Sequence, residues 1–129
     1  MKKFLMVTLV VGLALLHVST ALAADKMKFY VISHGGPADP FWGVVMRGAE
    51  DAGKEFDVDV TYLGPEKFSI QKLVDMVETA VADQPDGLVV TVTDAKALDE
   101  PLKDAINNKG IPVVAINVPD MRGIDEKIP

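Results

Sequence analysis

The side chains able to do covalent chemistry are few. The 129 residues contain no cysteine and two histidines, His17 in an apolar N-terminal stretch and His34 beyond it. Ser33 and His34 are neighbours on an extended segment, so their side chains point to opposite faces and cannot form a nucleophile–base pair. No G-x-S-x-G elbow, G-x-x-x-x-G-K-[ST] phosphate loop or G-x-G-x-x-G dinucleotide fingerprint occurs. Gly35-Gly36 stands where a dinucleotide loop would, but Pro37 follows and the third glycine is missing. The carboxylates are dispersed along helical faces, so no metal set converges and no cofactor is expected. These observations argue against an enzyme.

The segment His34-Gly35-Gly36-Pro37-Ala38-Asp39-Pro40-Phe41-Trp42 points instead to recognition. A sugar ring has apolar C–H faces and a hydroxyl rim, so an aromatic slab among polar groups is a suitable receptor. Phe41 falls on the apolar face of the helix that follows. Trp42, the only tryptophan, comes one residue later and points about a quarter-turn away. The alternative is that both aromatics pack in a core. Asp39 has two readings as well, a ligand contact or a helix cap.

Alternating strand and helix patterns must position these residues. Lys28–Ser33 is a β-branched and aromatic run, and Asp39-Pro40 opens a helix with Phe41, Val45, Gly48/Ala49, Ala52 and Phe56 at helical spacing. Val58–Leu63 is a second strand. Ser69 caps a second helix whose Ile70, Leu73, Val74, Val77 and Val81 share one side. Leu88–Val92 is a nearly continuous apolar strand, as in a parallel sheet covered on both faces. A third helix runs from about Ala97 to Asn108, capped by Asp94 or Asp99 and ended by Lys109-Gly110, and Ile111–Ile116 is the fourth strand. Four β-strands alternating with three helices predict an α/β, doubly wound parallel sheet that is incomplete as a domain. Such sheets bind ligands beyond the carboxyl ends of their strands, here Ser33–Trp42, Leu63–Phe68, Thr91–Lys96 and Asn117–Asp120.

The N-terminus reads as a secretory signal. Lys2 and Lys3 precede an apolar run from Phe4 to Leu16, and Ala21-Leu22-Ala23 supplies a small-x-small cleavage pattern. The expected organisation is a signal peptide over 1–23 and one lobe over 24–129, located in the periplasm and without a lipid-attachment cysteine. Without Lys2 and Lys3 the basic count falls from 13 to 11 against 19 acids, a formal charge of −8. No basic patch remains for phosphate backbones, so nucleic acid is excluded as a partner.

In order and spacing, three segments resemble the ribose-binding-protein-like family of periplasmic sugar-binding proteins that serve ABC transporters. They are Asp39-Pro40-Phe41-Trp42 after the first strand, Asp86–Val90 followed by Thr93-Asp94, and Gly110–Asn117. The resemblance runs from Phe29 to about Val118. It implies that Asp39 bonds a sugar hydroxyl and that Phe41 and Trp42 sandwich the ring against an aromatic of a second lobe. It implies Thr91 as a minor polar contact, with a structural hydroxyl as its alternative. Asn117 stands where the family often carries an aspartate gripping two hydroxyls, and Asp39 stands where it usually carries an asparagine. His34 faces the same mouth, as a weaker candidate beside the reading of an ordinary loop histidine. The implied partners are a sugar, an ABC permease in the inner membrane and a chemoreceptor or sensor. Family members are more than twice this length, so the resemblance implies a truncated N-terminal lobe, whose exposed sheet edges favour association. Two other readings stand beside it: a receptor lobe docking a membrane sensor or chemoreceptor, and an exported α/β enzyme with an unrecognised active site.

Overall fold

The computed structural model describes residues 25–118; the expected leader with its cleavage pattern, and the tail from Pro119 on with Asp120, lie outside the described residues. Four strands alternate with three helices: β1 Lys28–Ile32, α1 Pro40–Phe56, β2 Asp59–Leu63, α2 Ile70–Ala82, β3 Gly87–Val90, α3 Ala95–Lys103 and β4 Val113–Ala115. A π-helical turn, Asp104–Asn108, extends α3. All strand pairs are parallel, in the order β2-β1-β3-β4. This is the doubly wound α/β sheet that the alternation predicts. The strands are shorter than their apolar runs because the ladder hands over to single bonds at its ends: Ser33 N to Leu63 O, Thr91 N to Ile32 O and Ile116 N to Val90 O.

Each helix starts where a short polar side chain meets free amides. Asp39 Oδ1 accepts from Phe41 N at 2.8 Å and from Trp42 N at 3.3 Å, with Pro40 at the first helical position. Ser69 caps α2 through Lys72 N, and Asp94 caps α3 through Ala97 N. Asp99 pairs instead with Lys103, one turn along the same helix. The third helical segment ends at Gly110, whose φ of +66° is the left-handed conformation that glycine adopts without strain.

The register sorts the sheet into two faces. Ile32, Leu88 and Val90 share one face and pack under α2 and α3 against Leu73, Val77, Leu98 and Leu102, all 1% exposed or less. Full burial of such a side chain contributes about 1.5–3 kcal/mol, so this layer is the main source of stability. Phe29, Val31, Val60, Val89 and Val114 occupy the other face, which α1 covers only on the β2 side. A wholly apolar groove of about 330 Å³ remains there, lined by Phe29, Val31, Ala49, Ala52, Phe56 and Val89 among others.

That partial cover corrects the expected apolar face of α1. Val45, Ala49 and Ala52 are half-buried, as expected of an inner face. Phe56 is 69% exposed because it overhangs the groove, and Phe41 is 57% exposed because the first turn projects past the sheet's carboxyl edge. Among the described residues no helix is long and apolar enough to cross a membrane.

Candidate functional site

The strand order changes direction between β1 and β3: the chain steps from β1 to β2 on one side and then to β3 on the other. The loops after these two strands therefore lead to opposite sides at the sheet's carboxyl edge, the switch point where open α/β sheets take ligands. His34 and the Asp39 cap flank one side. Thr91 and Thr93 follow β3 on the other. Asn117 lies next along the edge, since Val92 N donates to Val118 O at 2.8 Å and Ile116 N to Val90 O at 3.0 Å.

Two loops build the β1 side, and glycines let them touch. A Cβ on Gly64 would lie 2.2 Å from Gly35 O and 2.9 Å from Ser33 Oγ, and one on Gly36 would lie 2.7 Å from Pro65 O. The β1–α1 and β2–α2 loops therefore meet backbone to backbone. Ser33, fully buried at the end of β1, donates to Gly35 O and shares a hydrogen bond with the Tyr62 hydroxyl. Burial raises the Tyr62 pKa; the Ser33 hydrogen bond opposes that shift, and the nearby Asp39 carboxylate adds to it. Ser33 is thus committed to structure and is turned away from His34, as their adjacency on a strand requires.

Over this platform runs a chain of rings. Phe41 meets Trp42 edge-on with centroids 4.9 Å apart, Trp42 meets His34 at 4.8 Å, and His34 meets Phe68 at 6.0 Å. Edge-to-face pairs at these separations contribute about 0.5–1.5 kcal/mol each beyond their buried area. Trp42 is 6% exposed, while Phe41 and Phe68 at the two ends are 57% and 59% exposed. Both aromatics were expected to contact the ring, and the structure separates them into one exposed and one buried. Gly35 accounts for the burial of Trp42: a Cβ there would stand 2.1 Å from Trp42 Cδ1, so its absence lets the indole pack against the loop. Trp42 supports the slab, and Phe41 presents it.

The polar candidates divide in the same way. Asp39 is exposed and its cap uses only Oδ1, which leaves Oδ2 available to a ligand. Asn117 is exposed at the end of β4 with φ 59°, a left-handed conformation that asparagine tolerates better than most residues. His34 is half-buried with Nδ1 unpartnered, and burial lowers its pKa, so the ring is neutral at pH 7. Thr91 corrects an expectation. It is 0% exposed, which favours the structural hydroxyl over a ligand contact. Thr93, two residues on, also has a buried Oγ1 without a partner and was given no ligand role from the sequence. Phe68 was missed too, although its position just before the Ser69 cap, beyond a strand's carboxyl end, was a usable signal. Among the described residues no three His, Cys, Asp or Glu side chains gather to hold a metal.

Comparison with known proteins agrees with this geometry. The profile of the family described as "Periplasmic binding protein domain" matches residues 29–127. The chain is 33% identical over 90 residues to the xylose/arabinose-binding protein XylF of Sulfolobus acidocaldarius, covering 70% of this chain and 22% of that one. Among solved structures, an ABC sugar transporter (periplasmic sugar binding protein) from Legionella pneumophila is similar with a TM-score of 0.73 and 31% identity. That match covers 81% of this chain and 37% of its counterpart. XylFII in its complex with LytSN is similar with a TM-score of 0.67 and 30% identity, over 74% of this chain and 34% of that one. The chain spans about a fifth to just over a third of the length of these relatives. The match over residues 29–127, with the parallel sheet shared with solved relatives, shows that this chain belongs to the periplasmic binding protein domain family.

Proposed function

We propose that the chain is the N-terminal lobe of a substrate-binding protein that captures a sugar or related polyol in the periplasm and delivers it unchanged to an ABC permease. The observation that carries this reading is the exposed Phe41 ring, seated on buried Trp42 at the sheet's switch point beside the free oxygen of Asp39. An aromatic face with a carboxylate and an amide at its rim suits a ring with an apolar face and peripheral hydroxyls. Asp39 Oδ2 accepts hydroxyl protons and Asn117 both donates and accepts, while His34, whose Nδ1 is buried, supports the chain of rings between Trp42 and Phe68. Trp42 acts through Phe41 as a positioning residue. The printed names of the relatives, a xylose/arabinose-binding protein and a periplasmic sugar binding protein, favour the same ligand class. The pattern at residues 1–23 supports export.

Binding by one lobe leaves the ligand's outer face in water, and pockets of useful affinity enclose most of their ligand. The appropriate material is therefore the longest natural chain that contains these residues. A thermal-shift screen of that protein over pentoses, hexoses and polyols tests the proposal. Saturable stabilisation by at least one sugar is expected, and no response to any would overturn it. A second reading, in which the lobe also docks a protein partner, is favoured by the solved XylFII–LytSN complex. It predicts that binding of the partner changes with sugar occupancy.

A further inference from the structure

We infer that Phe68 is a second aromatic contact for the ligand in this same site, so that the ring is held by Phe41 and Phe68 from two different loops. This rests on the proposed function. Among the described residues six large hydrophobic side chains are exposed, including Met27 and Phe56, which line the apolar groove under α1. Phe41 and Phe68 are the two that connect to the aromatic chain at the carboxyl edge of the sheet. Phe68 is 59% exposed between Lys67 and the Ser69 cap, where the helix start needs no aromatic and the lobe's own core does not use one.

Its position is held from below. The β2–α2 loop that carries Phe68 is locked to the β1–α1 loop by the close approaches of Gly36 to Pro65 and of Gly64 to Gly35. The Tyr62–Ser33–Gly35 hydrogen bonds fasten the same two loops one step earlier. His34 then fills the space between them, with the Phe68 ring perpendicular to it at 6.0 Å. Trp42 and His34 stand between the two exposed phenylalanines in this chain of rings. Two exposed apolar faces carried by separate loops match a cyclic polyol that offers C–H patches on more than one side. A ligand with one stacking face alone would leave Phe68 without use.

The test is calorimetric titration of the longest natural chain with the sugar that gives the largest thermal shift, comparing wild type, Phe68→Ala, Phe68→Tyr and Phe41→Ala. Because Phe68 is exposed, Phe68→Ala should melt within a few degrees of wild type without sugar. It should also bind the sugar about tenfold more weakly, the effect of one aromatic contact, with Phe68→Tyr close to wild type. If Phe68→Ala is destabilised, a 4-fluorophenylalanine at 68 replaces it, and its ¹⁹F resonance should shift on sugar addition. Unchanged affinity in Phe68→Ala, or an unmoved resonance, while Phe41→Ala weakens binding would overturn this inference and leave the proposed function standing. A wild-type protein that binds no sugar would overturn both.

Discussion

Replacing Gly64 by alanine should destabilise the protein, whereas the same replacement at Gly48 should stabilise it. The two sites differ in what a methyl group would meet. At Gly48, in the middle of α1, a Cβ finds nothing within 4 Å, so alanine adds only helix propensity and removes freedom from the unfolded chain. The gain is about 0.5–1 kcal/mol. At Gly64 a Cβ would lie 2.2 Å from the Gly35 carbonyl oxygen, and ordinary contact begins at 3.4 Å, so the two loops must part by about 1 Å. Overpacking of this kind costs about 1–3 kcal/mol. The upper end applies, because the obstacle is backbone and the Ser33–Gly35 hydrogen bond lies in the same gap. Summed, the two variants should differ by about 3–4 kcal/mol in urea denaturation followed by circular dichroism, with m-values unchanged. Trp42, which rests on Gly35, should also report the Gly64 variant as a red-shifted, more exposed indole. If Gly64→Ala is as stable as wild type, the backbone-to-backbone lock between these loops is refuted, and with it the argument for how Phe68 is positioned.

Asp39 separates cap from contact. Asp39→Asn should keep the α1 cap and the melting temperature while changing sugar affinity, whereas Asp39→Ala should also lose about 1 kcal/mol in denaturation. Thr91→Val removes a buried hydroxyl with no partner, so stability should hold or rise by about 1 kcal/mol and sugar affinity should not move; a loss of affinity in titration would return Thr91 to the site. Burial holds the pKa of His34 below its ordinary 6.5, so the unfolded chain binds the proton more readily. Its contribution is therefore complete above that value and lost as pH falls from there through the lower folded-state pKa. Melting temperature measured from pH 8 to 5 should fall less steeply for His34→Phe than for wild type, and parallel profiles would contradict the assignment.

The backbone plan was legible because each boundary has a local physical cause: Asp39, Ser69 and Asp94 cap, Gly110 ends a helix, and β-branched runs pair in parallel. The site was half legible. Spacing placed Phe41 on the apolar face of its helix and Trp42 a quarter-turn away, but it could not show that Trp42 is the buried one, since only the fold brings the bare Gly35 backbone against the indole. Thr91 sits at a strand end, where sequence suggests access, yet it is completely buried. Phe68 escaped notice because a lone aromatic in a polar loop shows no periodicity; its meaning comes from loop-to-loop contact that only glycine permits.

The most direct test of the central claim is titration of the longest natural chain with sugars, run in parallel with its Phe41→Ala variant. Saturable binding of at least one sugar, weakened about tenfold or more by Phe41→Ala while the unliganded melting temperature is preserved, is the result predicted for an exposed ring on a rigid indole support. Binding that Phe41→Ala leaves unchanged would place the ligand elsewhere on the protein and contradict the account.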